Sequence, residues 1–516
     1  ENRGGSIMSI DFNCLRMVVG LSIVFLVGCD LGAKSTSSVD EQAPTDPVVE
    51  EEKTAAEKTV PGEEAGEPAA EVTQSGVLAV GSPMIGELQT DLVAAGLTQA
   101  QAEAITSGAE NELVTASTLA VDTGAGLRLT QATSSPIRIA APALVRGAIM
   151  ALDDASAALN DVTSRAEICS VIMDSLFKGL NGRMTDLDDA GVESLTSAMV
   201  GDAVTSLSEG GIPAANTDVG TNAITKGAVR ALKKAGIPKE KTISFAKVVL
   251  TSTIRKLKDL ALSSEEISNA VGTATEGAVA SVTANDLSAS EGAGAAGDLA
   301  EASVNSLADL AIAKAVVVAT VKKVSQRAVA ALDEAAVGGS DLSTAIENIT
   351  SKSVKALRQG AGLAETADLK EAAGAIAAGA VEGIKDAGVA EQDVADSGIM
   401  ETVMSGTISS LGDAGLDQEE IADAVGVITD KAVESISRTN LSDDSQKKRA
   451  ISRVIKGTMA SVSRAGVADE TLRKVAIGNV TKNATAAIVR AGIQGKDAIS
   501  DVAAEISKTA IANVRE

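Results

Sequence analysis

Three thiols, Cys14, Cys29 and Cys169, are the most nucleophilic side chains in the sequence, and no imidazole can activate them because the chain contains no His. The usual general base for a serine or cysteine nucleophile near neutral pH is thus missing, which leaves only Lys or carboxylate bases for any catalysis. Histidine-containing zinc sites are excluded, and Cys169 alone cannot supply a thiolate cluster. Two stretches imitate binding motifs. Gly292-Ala293-Gly294-Ala295-Ala296-Gly297 reads GxGxxG, but a phosphate cradle needs a preceding strand and a βαβ unit, and the flanks here are Ala-rich with a helical pattern. Asp186, Asp188 and Gly191 resemble the opening of a calcium loop, yet its twelfth position would be Ser197 in place of Glu. An acidic turn starting a helix is the favoured reading. No catalytic, cofactor-binding or metal-ligating residue is therefore expected, and no cofactor.

Cys29 has a different setting. The twelve residues from Met17 to Gly28 carry no charge, follow Arg16, and end in a small residue before the thiol. A positive start, an apolar run of this length and a small-residue cleavage site together read as an export signal, and the run is short for a membrane-spanning helix. The stretch Leu26-Val27-Gly28-Cys29 resembles the lipobox of bacterial lipoprotein precursors. That resemblance covers about thirty residues. It implies diacylglycerol transfer to the Cys29 thiol, cleavage between Gly28 and Cys29, and acylation of the new amino group, typically with palmitate. Asp30 resembles the signal that retains lipoproteins at the inner membrane of enteric bacteria, so the resemblance favours the periplasmic face of that membrane, with the outer membrane or cell surface as alternatives. The chain begins with Glu1, and a start at Met8 keeps Arg16 in the signal, so residues 1–7 are expected to lie outside the natural product. With Cys29 acylated, Cys169 has no partner within the chain. Its neighbours Ile168 and Val171 point to a buried, small apolar role.

Residues 30–76 hold twelve Asp or Glu against Lys34, Lys53 and Lys58, together with Pro44, Pro47, Pro61 and Pro68. Few large apolar side chains are available there to offset the entropy of ordering. A disordered, self-repelling tether is expected over 29–78, after a signal at 1–28 and before a body at 79–516.

The body must be built almost without aromatic residues, since Trp and Tyr are absent and only Phe177 and Phe245 lie beyond the export segment. After Pro238 no proline follows, which permits uninterrupted helices. A small residue followed by Ile, Val or Leu recurs at Gly211, Gly236, Ala261, Asp286, Ala311, Ala336, Gly362, Gly388, Gly415, Asn440, Gly466 and Gly492, a period of about 25–26 residues. Gly at a helix C-terminus takes the left-handed conformation, and the apolar residue after it packs back on the last turn. Capping-box spacing follows at Ser263 with Glu266, Asp417 with Glu420 and Thr98 with Gln101. Carboxylates cluster after the turns, while Lys233, Lys234, Arg464 and Arg490 precede them, both complementing the helix dipole.

Between these signals Ile421, Val425, Ile428, Ala432 and Ile436 form one helical stripe, and Ile267, Val271, Ala274, Ala278 and Val282 form another. One continuous helix per repeat is the favoured reading. The competing version splits each repeat at Gly272, Gly426 or Gly478, although close helix packing would also account for these glycines. The fold class expected is all-α: an Ala-rich array of helical repeats, either an α-solenoid or an extended antiparallel bundle.

The formal charge of −25 repels phosphate backbones, so nucleic acid is not an expected partner. The body lacks the basic faces and interfacial aromatics of helices that lie on lipid. The expected role is structural spacing or protein interaction in the cell envelope, non-enzymatic, with the membrane bound through Cys29 and envelope proteins as partners. A carboxylate-based enzyme or small-ligand binder is the alternative.

Overall fold

The computed structural model describes residues 72–123, 135–155, 159, 161–439 and 441–515. Asn440 and the residues of the lipobox and most of the tether lie outside them. Regular structure among the described residues is helical throughout. Chain order runs α1 (Gln74–Ala94), α2 (Gln99–Thr123), α3 (Pro136–Met150), α4 (Val162–Lys178), α5 (Asp189–Thr205), α6 (Thr217–Ala231), α7 (Thr242–Lys256), α8 (Ser264–Val282) and α9 (Ala289–Asn305). It continues through α10 (Lys314–Ala330), α11 (Ser340–Ala356), α12 (Thr366–Asp386), α13 (Glu391–Asp396), α14 (Ile399–Ser409), α15 (Gln418–Ser435), α16 (Asp444–Val462), α17 (Glu470–Ala487) and α18 (Lys496–Arg515). The first helix begins at Gln74, ahead of the boundary expected at 79, because the Thr73 hydroxyl accepts the Gly76 N–H and caps it.

Local chemistry sets the helix ends. Ser263 with Glu266 and Asp417 with Glu420 form reciprocal capping boxes, and the Gln101 side chain accepts from the Thr98 N–H at 2.8 Å. At the other ends, ten of the twelve turn positions marked by the repeat have positive φ, including Asp286 (63°), Ala311 (51°) and Ala336 (54°). The alanines adopt a strained conformation for an L-residue. Ala261 does not, because there the chain leaves α7 through a short 3-10 turn into extended backbone at Leu260.

One continuous helix per repeat is the rule: Gly272 lies inside α8, Gly426 inside α15 and Gly478 inside α17. The exception falls between Gly388 and Gly415, where Gly398 at φ 82° separates α13 from α14.

From α3 onward successive helices alternate between two layers, with the short α13 lying beside α14 and α16. One layer stacks α1, α4, α6, α8, α10, α12, α15 and α17; the other stacks α2, α3, α5, α7, α9, α11, α14, α16 and α18. From α4 to α17 each helix packs most extensively on its neighbours within the layer rather than on the helix next to it in sequence. That is the arrangement of a solenoid of helix pairs and not of an up-and-down bundle. A helix inside a layer has neighbours on both sides as well as the facing layer, so burial spreads well beyond one stripe: in α12 nearly every residue from Ala372 to Ile384 is buried. Small side chains are required there, and Ala and Gly supply them.

Polar rungs hold the layers in register. Buried hydroxyls meet across the interlayer space at Thr225 and Thr253 (3.3 Å), Thr275 and Ser303 (2.7 Å), and Thr429 and Thr458 (3.3 Å). Within a layer, Asn222 donates to the Thr273 carbonyl at 2.9 Å and Asn479 to that of Ala422 at 3.0 Å. The cations before the turns reach sideways as well as toward their own helix ends. Lys234 lies 2.7 Å from Asp174, and Arg490 lies 3.2 Å from Glu434.

Candidate functional site

The residues with suspected chemistry are dispersed by the fold. Cys29, Leu26, Val27, Gly28 and Asp30 lie outside the described residues. Asp188 is the N-cap of α5 and accepts the Gly191 N–H at 2.7 Å, so this stretch begins a helix. The GxGxxG stretch is interior to α9, where Gly297 lies against Asn348 of α11 and no loop exists to cradle a phosphate. Cys169 is fully buried in α4, and burial pushes its thiol up to about 12. A thiol held protonated in this way is a packing group, not a nucleophile.

A concave surface lies on α4, α6, α8 and α10. An open groove of about 530 Å³ is floored by Ala166, Val171, Val219 and Ala223 and carries Glu167, Asp218, Lys226, Arg230 and Arg327 on its walls. It shares Val171 and Arg230 with a second hollow of about 500 Å³, which adds Asp91, Asp174, Lys178 and Lys234. Each cation faces a carboxylate from another part of the array. Arg327 Nη1 lies 3.2 Å from Glu276, Arg230 Nε 3.6 Å from Asp174, Lys178 Nζ 3.2 Å from Asp91, and Lys226 contacts Glu334. Such paired charges can orient a polar partner lying along the groove; they do not converge on one atom as a catalytic set does.

Glu276 pairs with Arg327 beside this groove. Burial raises its pKa, and Glu334 and Asp386 push the same way, against Arg327 and Lys226. Burial likewise raises Asp202. The capping acids shift oppositely. Glu291 is lowered to about 2 by the Lys239 ammonium and the backbone and hydroxyl of Ser288; the Ser263 backbone and hydroxyl lower Glu266, and the Thr366 hydroxyl and Asp417 backbone lower Glu420.

These shifts set the expected pH dependence. Groups with raised pKa bind protons more tightly when folded, so Glu276 and Asp202 return stability as pH falls through their folded values. The capping acids stabilise above the ordinary value of 4.5 and lose that contribution as pH falls below it, Glu291 doing so down to about 2. The denaturation midpoint is expected to rise as pH falls from 7 toward 4.5 and to drop below it, with Glu276→Gln flattening the upper limb. A midpoint that declines steadily from pH 7 downward would refute this assignment.

Sequence reasoning missed the groove because its walls come from four helices spread over more than 160 residues, from Thr163 to Arg327. A signal was nevertheless present. Acids at Asp174 and Glu434 each have an arginine 56 residues later, Arg230 and Arg490, which is the spacing of neighbours within a layer.

Fold and surface together define a two-layered α-helical repeat protein with a charged lateral groove. No protein-family model matches the chain, and no curated protein matches it.

Proposed function

We propose that the protein is a non-enzymatic lipoprotein of the bacterial cell envelope, anchored through acylated Cys29, whose tether sets the helical array off from the membrane for spacing or protein contact. The carrying observation is the order Arg16, apolar run, Leu26-Val27-Gly28-Cys29. Two acyl chains hold a protein stably where one does not, each buried methylene contributing about 0.8 kcal/mol. The body then needs no span of its own, and among the described residues no helix is long and apolar enough to cross a membrane. Asp30 favours the periplasmic face of the inner membrane.

The rival reading, a carboxylate-based enzyme or small-ligand binder, draws on the groove and on the raised pKa of Glu276. The pairing of its cations with neighbouring carboxylates favours a contact surface instead.

Cells fed an alkyne-labelled fatty acid should tag the wild-type protein in the membrane fraction. Cys29→Ala should lose the tag and leave that fraction. Tagging of the Cys29→Ala protein at the wild-type level would sink the proposal.

A further inference from the structure

Helices inside a layer meet at glycines, and the first and last described helices of one layer present glycines that meet nothing among the described residues. Gly272 of α8 is covered by Lys323 and Arg327 of α10, Gly374 of α12 by Lys431 of α15, and Gly426 of α15 by Asn479 and Asn483 of α17. Gly478 lies 52 residues beyond Gly426 and occupies the corresponding place on α17, yet among the described residues no atom lies within 4 Å of where its Cβ would stand. At the opposite end, Gly86 of α1 is equally open.

Both open glycines sit in the middle of exposed faces. On α17 the face runs Thr471, Val475, Gly478, Lys482, Thr485 and Val489; on α1 it runs Ser75, Ala79, Ser82, Gly86, Thr90 and Val93. The steps of three and four residues mark one side of a helix in each case. Among the described residues every exposed large hydrophobic lies at one end of the array or the other: Val93, Val114 and Leu119 at the first, Val475, Val489 and Ile511 at the last. The charges beside them have opposite signs. Lys482 is exposed on α17, where Lys474 pairs with Glu470, whereas Glu103 and Glu110 are exposed on α2, next to α1.

We propose that this chain associates head to tail with a second copy of itself, α1 of one molecule packing on the α17 face around Gly478 of the next. The contact continues the stacking that already joins α12 to α15 and α15 to α17 within the chain. A heterologous contact of this kind leaves one free end on each side of every dimer, so it propagates into longer assemblies. The inference concerns the helical body and does not depend on lipidation at Cys29.

The test uses sedimentation equilibrium of the full chain in density-matched detergent, with Gly478→Arg to block one end and Gly86→Arg to block the other. Both positions are open, so neither side chain displaces a neighbour, and unchanged helical circular dichroism would verify this. The wild-type average mass should climb past twice the monomer's with concentration, while each variant alone stays monomeric. An equimolar mixture of the two variants should reach twice the monomer mass and stop, because each supplies the end the other lacks. A monomeric wild type, variants that assemble as it does, or a mixture that stays monomeric would each overturn the proposal.

Discussion

Gly277→Ala is expected to lower the stability of the array by about 1–3 kcal/mol, and Gly478→Ala to raise it by about 1 kcal/mol. Both residues lie inside helices, where alanine is favoured over glycine by about 1 kcal/mol through backbone entropy alone. Their surroundings decide the sign. A methyl on Gly277 would stand 2.6 Å from the Asn222 carbonyl oxygen and 3.2 Å from the Lys226 amide nitrogen, both backbone atoms of α6. Backbone cannot rotate aside, so α8 must move away from α6 and loosen the contacts on both sides of the glycine. Gly478 has open space and shows the intrinsic preference by itself. Denaturant midpoints at unchanged slope measure the difference. Stabilisation by both substitutions would falsify the close approach of α6 and α8, while a gain confined to Gly478 supports it.

The contrast between these glycines shows which levels of structure are legible in the residues. Turns are legible because their chemistry is local: Gly236, Gly415 and Gly466 take the left-handed conformation a helix end needs, and Ser263 and Asp417 cap the helix that follows. Even the substitutes at Asp286, Ala311 and Ala336 keep positive φ, held by the repeat around them. Apolar stripes are legible for the same reason, and Ile421, Val425, Ile428, Ala432 and Ile436 are all buried.

The alternation of helices between layers is not announced in this way. A period of 25–26 residues describes the chain, whereas the packing unit is a pair of helices, so side-chain bonds within a layer join residues such as Asn222 with Thr273 and Asn479 with Ala422, 51 and 57 residues apart. Glycines inside helices carry the missing information. Read as local punctuation, Gly272 and Gly426 suggest a broken helix; read as seats for the next helix in a layer, they order the stack. The groove follows from that order, because Lys226, Arg230 and Arg327 share a surface only once α6 and α10 are placed on either side of α8. The proposed anchor stands apart from this hierarchy, since a lipobox is a linear signal that does not require a folded site.

Removing both cations from Glu382 is expected to cost about 3 kcal/mol, more than an exposed ion pair on this surface could account for. The side chain of Glu382 is only 8% exposed on α12. Its Oε1 lies 2.8 Å from Lys322 Nζ of α10 and 2.6 Å from Arg438 Nη1 just beyond α15, with the Ser435 hydroxyl donating at 3.3 Å. One carboxylate therefore clamps three successive helices of a layer. Lys322 and Arg438 themselves remain partly in solvent, so each keeps hydration when the other is removed. The penalty falls on the acid: in a Lys322→Met, Arg438→Met double variant it stays buried with the serine hydroxyl as its remaining bond. Adding Glu382→Leu should recover most of the loss, because an apolar side chain of similar volume needs no partner there. A double variant as stable as wild type would mean that the clamp contributes nothing, and a triple variant no better than the double would assign the loss to the cations' packing instead of the stranded charge. Recovery in the triple variant would show that the interior of this layer tolerates apolar replacement, and that the ion cluster fixes the alignment of α10, α12 and α15 more than it deepens their stability.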